Sequence, residues 1–463
     1  MTLTKEENQI QKFLSDTIVQ DDINILRDLI AIKSIFAQKV GLNDLASYLG
    51  EVFRKAGAEV IIDDSYSAPF IVANFKSSKV DAKRIIFYNH YDTVPADEVE
   101  QWTEDPFTLS LRYGKMYGRG VDDDKGHITA RLSAVKKYLS RHKGELPLDI
   151  TFIVEGAEES ASVGLDYYLE KYQEQLQGAD LIVWEDGPKN PKGQLEIAGG
   201  NKGIVTFDLS VSSADVDIHS SFGGVVDSST WYLIQALNTL RDNKGHILVE
   251  GIYDKVIYDK VIPPTKRELE LVEKYSYRSA KALEDAYQLV LPSLADSHKT
   301  FLRKLYFEPS IAIEGITSGY QGEGVKTILP AYAKCKAEVR LVPGLTPKGV
   351  LDSIQNHLKE NGFNDIELTY TLGEMSYRSD MSAPSILKVV DLAEQFYPEG
   401  VSLLPTSPGT GPMYLVHQAL RAPIAAFGIG HANSRDHGVD ENVSIADYYT
   451  HIELVEALIE SYE

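Results

Sequence analysis

Histidine and acidic residues follow several apolar, strand-like runs of this 463-residue chain, and their side chains could bind metal ions. The residues at these positions are His90 and Asp92, Asp122 to Asp124, Glu158 and Glu159, Asp186, and His431 and His437. Because open α/β sheets gather ligands at the carboxyl ends of their strands, we expect these side chains to meet at one edge. Histidine and carboxylates without a thiolate fit a pair of Zn²⁺, Mn²⁺ or similar ions that activate water for hydrolysis.

His90 and Asp92 lie two residues apart at the end of a strand-like run, so both side chains can point toward one site. A ring nitrogen of His90 can bind zinc, while Asp92 can accept the other ring N–H and fix the tautomer. The alternative for this pair alone is a strand-end turn with a hydrogen-bonded histidine.

The two acidic clusters also allow structural interpretations. The run 122–124 could be a solvated turn that caps the helix beginning near Lys125, but a cation would relieve the repulsion among its three carboxylates. Glu158 and Glu159 follow an apolar strand, where adjacent glutamates are costly unless one binds metal and the other moves protons. A helix cap before a predicted helix 162–176 is the alternative for this pair.

The last two candidates give weaker signals. Asp186 follows the apolar run 181–184, and it could likewise bind a metal ion or have only a structural role. His431 and His437 flank a short polar segment after the run 424–429, and one of the two should complete the site.

The pattern of apolar residues predicts a mixed, mostly parallel sheet with helices on both faces. Its predicted strands cover 58–63, 70–75, 84–89, 148–154, 181–184 and 424–429. Its predicted helices cover 22–34, 43–57, 125–141, 162–176, 384–396 and 444–461.

A smaller α+β domain is predicted inside this α/β domain, because strands with one solvated face begin after residue 203. Its predicted strands are 204–212, 331–342 and 364–372, and its helical segments are 224–240, 266–290 and 346–360. The resulting domains are 1–203 and 383–463 for the catalytic domain and 204–382 for the insert. The stretch 248–264 fits no class of element.

Composition excludes several classes of partner. Lys and Arg number 46 against 68 Asp and Glu, and the net charge of −22 disfavours nucleic acid and anionic membranes. The only cysteine, Cys335, excludes an intramolecular disulfide and fits a reducing compartment. Residues 1–20 lack the apolar core of a signal peptide, so we expect a cytoplasmic protein.

Three motifs have a recognisable order: HYDTVP at 90–95, YGRGVDDDKG at 117–126 and EGAEES at 155–160. In this order they resemble the motifs of the co-catalytic zinc exopeptidases. That family includes carnosinases, other dipeptidases, glutamate carboxypeptidases, acetylornithine deacetylase and succinyl-diaminopimelate desuccinylase. The resemblance runs from about residue 22 to the C-terminus, and the large insert is most similar to the carnosinase and dipeptidase branch.

The resemblance implies a set of five metal ligands: His90, Asp123, Glu159, Asp186 and His437. His90 and Asp186 would hold one divalent ion, and Glu159 and His437 would hold the other. Asp123 would bridge the two ions. Zinc is the first expectation for this family, with manganese or cobalt as alternatives.

The resemblance also implies the residues that act beside the metals. Glu158 would be the general base, and Asp92 would orient His90. The peptide bond Asp123–Asp124 would be cis. His437 is preferred to His431 because the segment 436–441 matches the family's final motif.

Three residues of the insert match the family's substrate-binding positions. His219 resembles a histidine that reaches the active site of the other subunit and stabilises the transition state. Arg340 and Thr410 resemble residues that contact the substrate carboxylate. The resemblance therefore implies a homodimer formed through the insert, with helix 224–240 and strand 204–212 contributing.

These features predict a hydrolase of dipeptides or short peptides with a free C-terminus. A water between two metal ions would ionise near neutral pH, with Glu158 accepting its proton. An N-acyl-amino-acid deacylase on the same scaffold is the alternative. A non-catalytic metal-binding scaffold is disfavoured because such a protein has no need of a base beside its ligands.

Overall fold

The computed structural model describes residues 4–97, 99–252, 261–291 and 293–463, which form two compact units. The first unit contains 1–200, 379–405 and 415–463, and the second contains 201–378 and 406–414. The domain boundaries predicted at residues 203 and 382 differ from these by a few residues, and segment 406–414 was not expected in the second unit. Residues 1–3, at the start of the segment inspected for a signal peptide, and residues 253–260, within the unclassified stretch, lie outside the described residues.

The described residues contain thirteen α-helices and twenty-one strands, which we number in chain order. The helices are α1 Lys5–Ser15, α2 Thr17–Ala31, α3 Leu42–Lys55, α4 Lys125–Arg141, α5 Leu165–Leu176, α6 Ser229–Leu240, α7 Lys266–Tyr275, α8 Ala280–Tyr287, α9 His298–Phe307, α10 Pro347–Glu360, α11 Pro384–Phe396, α12 Met413–Leu420 and α13 Ile445–Glu460. The strands are β1 Glu59–Asp63, β2 Phe70–Phe75, β3 Arg84–His90, β4 Ser110–Arg112, β5 Lys115–Tyr117, β6 Asp149–Glu155, β7 Leu181–Trp184, β8 Pro188–Lys189, β9 Leu195–Ala198, β10 Gly200–Asn201, β11 Gly203–Ser212, β12 Ile218–His219, β13 Ser310–Ser318, β14 Ile328–Leu329, β15 Tyr332–Leu341, β16 Glu367–Glu374, β17 Tyr377–Arg378, β18 Val401–Leu404, β19 Ile424–Ala426, β20 Gly430–His431 and β21 Asn442–Ser444.

The first unit is built on a ten-stranded sheet with the order β1-β2-β6-β3-β7-β19-β9-β8-β20 and with β18 beside β9. Its four central strands β6, β3, β7 and β19 are parallel, whereas β1 and β2 pair antiparallel at one side. Strands β3, β6 and β7 are almost wholly buried, as their β-branched and aromatic runs require. The predicted mixed, mostly parallel sheet is therefore confirmed.

The second unit contains a four-stranded antiparallel sheet with the order β13-β15-β11-β16. Alternate residues of β11 and β15 are buried and form a core with α6 and α10. Because β11 pairs on both sides, its backbone is not a free edge. The contribution of strand 204–212 to a dimer interface stays a prediction, and the edge strands of this sheet are β13 and β16.

Within the described residues, no helix is both long enough and apolar enough to span a lipid bilayer.

Candidate metal centre

Four of the five predicted ligands lie at or after the ends of the four central parallel strands of the first unit, and the fifth, Asp123, precedes α4. His90 is the last residue of β3, and Glu158 and Glu159 follow β6 in a 3₁₀ turn. Asp186 follows β7, and the chain after β19 leads to His437. Because these strands run in the same direction, their carboxyl ends lie at one edge of the sheet.

Asp123 lies between two imidazoles. Its Oδ1 atom is 2.8 Å from His90 Nε2, and its Oδ2 atom is 2.9 Å from His437 Nε2. The Nε2 atom of His437 is also 3.0 Å from Glu159 Oε2. The peptide bond Asp123–Asp124 is cis, as the resemblance implied. The structure thus brings four of the five predicted ligands into direct contact around one carboxylate.

A second group of possible ligand atoms within 4.8 Å of one another belongs to His90, Asp124 and Glu185. Oδ2 of Asp124 already accepts hydrogen bonds from Asn89 Nδ2 and from the backbone N–H of His90, at 2.6 and 3.0 Å. Asp186, the predicted partner of His90, is exposed and directly follows the buried Glu185. No direct contact joins Asp186 to His90 in the described part of the chain.

Asp92 is buried and holds both the histidine and the glutamate turn. Its Oδ1 and Oδ2 atoms accept the backbone N–H groups of Glu158 and Glu159 at 3.1 and 3.2 Å. The Nδ1 atom of His90 lies 3.0 Å from the backbone oxygen of Asp92 and 3.4 Å from its carboxylate. Nδ1 can therefore donate to Asp92, and Nε2, which faces Asp123 Oδ1, is the nitrogen that a metal ion would use.

Replacement of Asp92 by asparagine should weaken metal binding by ~10- to 100-fold, the usual range for loss of a ligand-orienting group. An asparagine side chain has one acceptor oxygen and cannot receive both backbone N–H groups. Metal affinity would be measured by competition with a chelator. Asp97→Asn, which changes an exposed carboxylate of the same loop, is the control and should leave affinity unchanged. Equal affinities for Asp92→Asn and the parent would contradict this role.

Glu158 has the electrostatic environment of a proton acceptor. Burial raises its pKa well above the ordinary value; the nearby His90 opposes this shift, and the carboxylates of Asp123 and Glu159 add to it. Among the described residues, none forms a hydrogen bond with the Glu158 carboxylate. Glu159 instead contacts His437 and the backbone N–H of Val94. The two adjacent glutamates therefore have different surroundings.

Glu441 joins the two loops that carry Asp123 and His437, and the sequence pattern alone did not reveal this. Its Oε1 atom accepts the backbone N–H groups of Asp122 and Asp123, and its Oε2 atom accepts that of Gly120. Arg119 donates to the same Oε2 at 2.7 Å. The only hint in the sequence was that Glu441 belongs to the segment 436–441, which matches a family motif. Its hydrogen-bond partners could not be identified in this way, because they are more than 300 residues away in the sequence.

His431 has a structural position rather than a place among the ligands. Its Nδ1 accepts the backbone N–H of Asn433 at 3.0 Å, and its Nε2 lies 3.1 Å from Asn442 Oδ1. The side-chain amide of Asn442 donates to three backbone oxygens of the loop that precedes it. Both ring nitrogens of His431 are therefore occupied in holding the loop that carries His437.

The other predicted site residues belong to the second unit. Arg340 Nη1 donates to Thr410 Oγ1 at 2.7 Å, so the structure brings these two together. Arg340 Nε also donates to Glu338 at 3.0 Å. His219 is exposed, and its Nδ1 lies 2.9 Å from Ser221 Oγ.

The donor set of the first unit fits divalent metal ions. One carboxylate, Asp123, has an imidazole nitrogen at each oxygen, which is the arrangement a bridging ligand needs. Contacts with Asp123 and Glu159 raise the pKa of His437 to about 10, so this position favours positive charge. Cys335, the only thiol, lies buried in the core of the second unit. Oxygen and nitrogen ligands without sulfur suit Zn²⁺, Mn²⁺ or Co²⁺.

Comparison with known proteins gives a consistent result. A model of peptidase family M20/M25/M40 matches residues 86–461. A Beta-Ala-His dipeptidase of Homo sapiens is 31% identical over 383 residues, which cover 76% of this chain and 73% of that protein. A Cys-Gly metallodipeptidase of Candida albicans is 27% identical over 397 residues, which cover 82% and 78% of the two chains. The crystal structure of an M20 family metallo-carboxypeptidase from Sulfolobus solfataricus has a TM-score of 0.86 at 30% identity, and the match covers 96% of this chain and 99% of that one.

Proposed function

The chain belongs to peptidase family M20/M25/M40, and from this membership we propose that it hydrolyses dipeptides and other short peptides with a free C-terminus. It is a metal-dependent hydrolase of the carnosinase and dipeptidase branch. The observation that carries the proposal is the Asp123 carboxylate between His90 and His437, near the half-buried Glu158, whose pKa is raised well above its ordinary value by loss of water around it.

Two divalent ions are proposed for each chain, with Zn²⁺ as the first candidate and Mn²⁺ or Co²⁺ as alternatives. His90 and Asp186 would bind one ion, Glu159 and His437 the other, and Asp123 both. When bound, such ions polarise a carbonyl oxygen and lower the pKa of water from 15.7 to ~7.

Asp186 is preferred to Glu185 as a ligand because of its surroundings. Part of Asp186 reaches solvent, but loss of water around its carboxylate is the main cause that raises the pKa of Asp186 to about 6, and the nearby carboxylate of Asp123 adds to the shift. Glu185 is buried. Because successive side chains of an extended chain point in opposite directions, the adjacent Glu185 and Asp186 are not expected to face the same site. The hydrogen bonds that Asp124 accepts suit a residue that positions His90.

Hydrolysis requires one proton to move twice, and Glu158 is proposed to carry it. Its carboxylate accepts a proton from water as the water oxygen forms a bond to the scissile carbonyl carbon. The same proton then passes to the leaving nitrogen as the C–N bond breaks. Asp92 positions this base by accepting the backbone N–H of Glu158.

Arg340 is proposed to bind the C-terminal carboxylate of the substrate. A guanidinium can donate paired hydrogen bonds to a carboxylate, and this geometry selects peptides with a free C-terminus. The hydrogen bond to Thr410 and the ion pair with Glu338 fix the orientation of the guanidinium.

His219 is proposed as a hydrogen-bond donor to the oxyanion of the transition state. The backbone N–H of Ser221 donates to His219 Nδ1 at 3.2 Å, so in the neutral ring the proton is on Nε2. The exposed imidazole therefore presents an N–H donor, as an oxyanion site requires.

A homodimer through the second unit is proposed because this unit has exposed apolar side chains on one helix and on an edge strand. Trp231 and Ile234 of α6 are 60% and 41% exposed, and Ile313 and Ile316 of β13 are each 51% exposed. An isologous contact between two copies would cover both surfaces.

The cytoplasm is the proposed compartment, because a chain with one cysteine gains nothing from an oxidising environment. Fractionation of the producing cells would test this directly.

Removal of metal provides the test of the whole proposal. Protein treated with a chelator should lose dipeptidase activity, and Zn²⁺, Mn²⁺ or Co²⁺ should restore it at about two ions per chain. Elemental analysis and a panel of dipeptides, N-acetyl amino acids and N-succinyl amino acids give the readout. Full dipeptidase activity in metal-free protein would overturn the proposal, and hydrolysis of the acyl amino acids alone would identify a deacylase.

A further inference from the structure

A cavity of about 350 Å³ in the second unit is lined by four lysine and arginine side chains, although the chain as a whole has a net charge of −22. These side chains are Lys202, Arg241, Lys304 and Arg340. Among the described residues, the only acidic one that lines the cavity is Glu308, whose carboxylate is paired with Arg303 at 2.9 Å. Arg340 is paired with Glu338, so the excess of positive charge at the cavity comes from Lys202, Arg241 and Lys304.

Lys202 is the buried member of this group and is held in place from two sides. Its ammonium donates to the backbone oxygens of Lys304 and Glu308 at 3.2 and 2.7 Å, and the residue is 4% exposed. Burial lowers the pKa of Lys202 to about 8, so most of it is charged at neutral pH. Within the part of the chain that the structure describes, two of its three N–H groups are used, and the third can donate to a ligand.

Arg241 lies at the cavity and is exposed. In residues 4–97, 99–252, 261–291 and 293–463, no carboxylate lies within ion-pair distance of its guanidinium. The remainder of the wall contains apolar side chains, among them Ile247, Phe301, Leu305 and Ile311. Methylene groups can pack on such a wall while a terminal carboxylate reaches the basic groups.

We propose that this cavity binds the side chain of the substrate's C-terminal residue and that the enzyme prefers an acidic residue there, glutamate above all. The inference rests on the proposed function, in which Arg340 binds the α-carboxylate of the same residue. Because Arg340 lines the cavity, the side chain of a residue bound to it has direct access to Lys202 and Arg241. A glutamate side chain brings two methylenes for the apolar wall and one carboxylate for the basic groups.

Ala-Glu and Ala-Gln form the test pair, because they differ in charge and hardly in shape. We expect kcat/KM to be at least ~10-fold higher for Ala-Glu, the lower range for one charge-assisted hydrogen bond. Arg241→Gln should reduce this preference without affecting folding, since the side chain is exposed. Lys299→Gln removes an equally basic, 77% exposed side chain of α9 that does not line the cavity, and the preference should persist.

Two inhibitors separate this site from a general anion site. Glutarate carries two carboxylates on a chain of three methylenes and should inhibit competitively, and Arg241→Gln should weaken the inhibition. Inorganic phosphate at the same concentration should inhibit much less. Hydrolysis of Ala-Gln and Ala-Glu at equal rates, or equal inhibition by phosphate, would overturn the inference and leave the dipeptidase proposal intact. Failure to hydrolyse either peptide would instead overturn the proposed function.

Discussion

Replacement of Glu158 by glutamine should lower kcat by at least ~10²-fold, while the protein retains about two metal ions per chain. Glutamine preserves the shape of the side chain but cannot accept a proton from water. Among the described residues, the carboxylate of Glu158 forms no hydrogen bond with a predicted ligand, so its neutralisation should leave metal binding intact. Steady-state kinetics and elemental analysis of the same preparation give both readouts.

Glu159→Gln should give the opposite pattern, because Glu159 Oε2 contacts His437 at 3.0 Å. We expect this variant to lose metal first and activity as a consequence. Glu170→Gln, an exposed position on α5, is the control and should match the parent in both measurements. If Glu158→Gln keeps the parent turnover, or if it loses its metal, the roles proposed for the two glutamates are wrong.

Helices and strands with strong periodicity could be predicted from the sequence. The helix predicted at 125–141 is α4, Lys125–Arg141, and the strand predicted at 181–184 is β7. Local backbone conformation explains a difference between the predicted and the observed start of one helix. The helix predicted from residue 162 begins at Leu165, because Ser162 and Gly164 have positive φ values, which end the preceding turn.

Elements with weak or interrupted periodicity were missed. Helix α1 lies in the polar segment 1–20, and its signal was the capping box formed by Thr4 and Glu7. Strand β13 was missed because its pairing register shifts between Ile313 and Gly315, and such a bulge breaks the alternation of buried and exposed residues.

The ligand edge could be predicted because it requires only that parallel strands end together. The contacts that hold its loops could not, because they join segments far apart in sequence. Glu441 contacts residues 119–123 across more than 300 residues, and no local pattern encodes such a pairing. His437 was chosen over His431 from the motif at 436–441, but the contacts that occupy both ring nitrogens of His431 could not be foreseen from the sequence.

His219→Ala should lose ~2.7–4 kcal/mol of transition-state stabilisation, equivalent to ~10²- to 10³-fold in kcat/KM, while it keeps its metal ions. His219 belongs to neither group of ligand atoms found in the described residues, so metal binding should not depend on it. Removal of the exposed ring breaks only the local contacts with Ser221. Ser221→Ala is the control. It keeps the backbone N–H that donates to His219 Nδ1 and sets the tautomer, so we expect a much smaller decrease in kcat/KM.

Mixing His219→Ala chains with Glu158→Gln chains tests whether His219 acts in the neighbouring subunit. If it does, each heterodimer contains one site with both defects and one site with neither. Random exchange makes half of the dimers heterodimers, so a 1:1 mixture should recover about one quarter of the parent activity, although each variant alone is nearly inactive. Native mass spectrometry would verify that subunits have exchanged. If exchange is complete and activity does not return, His219 acts within its own chain or not at all, because only action across the interface places both defects in one site and leaves the other site intact.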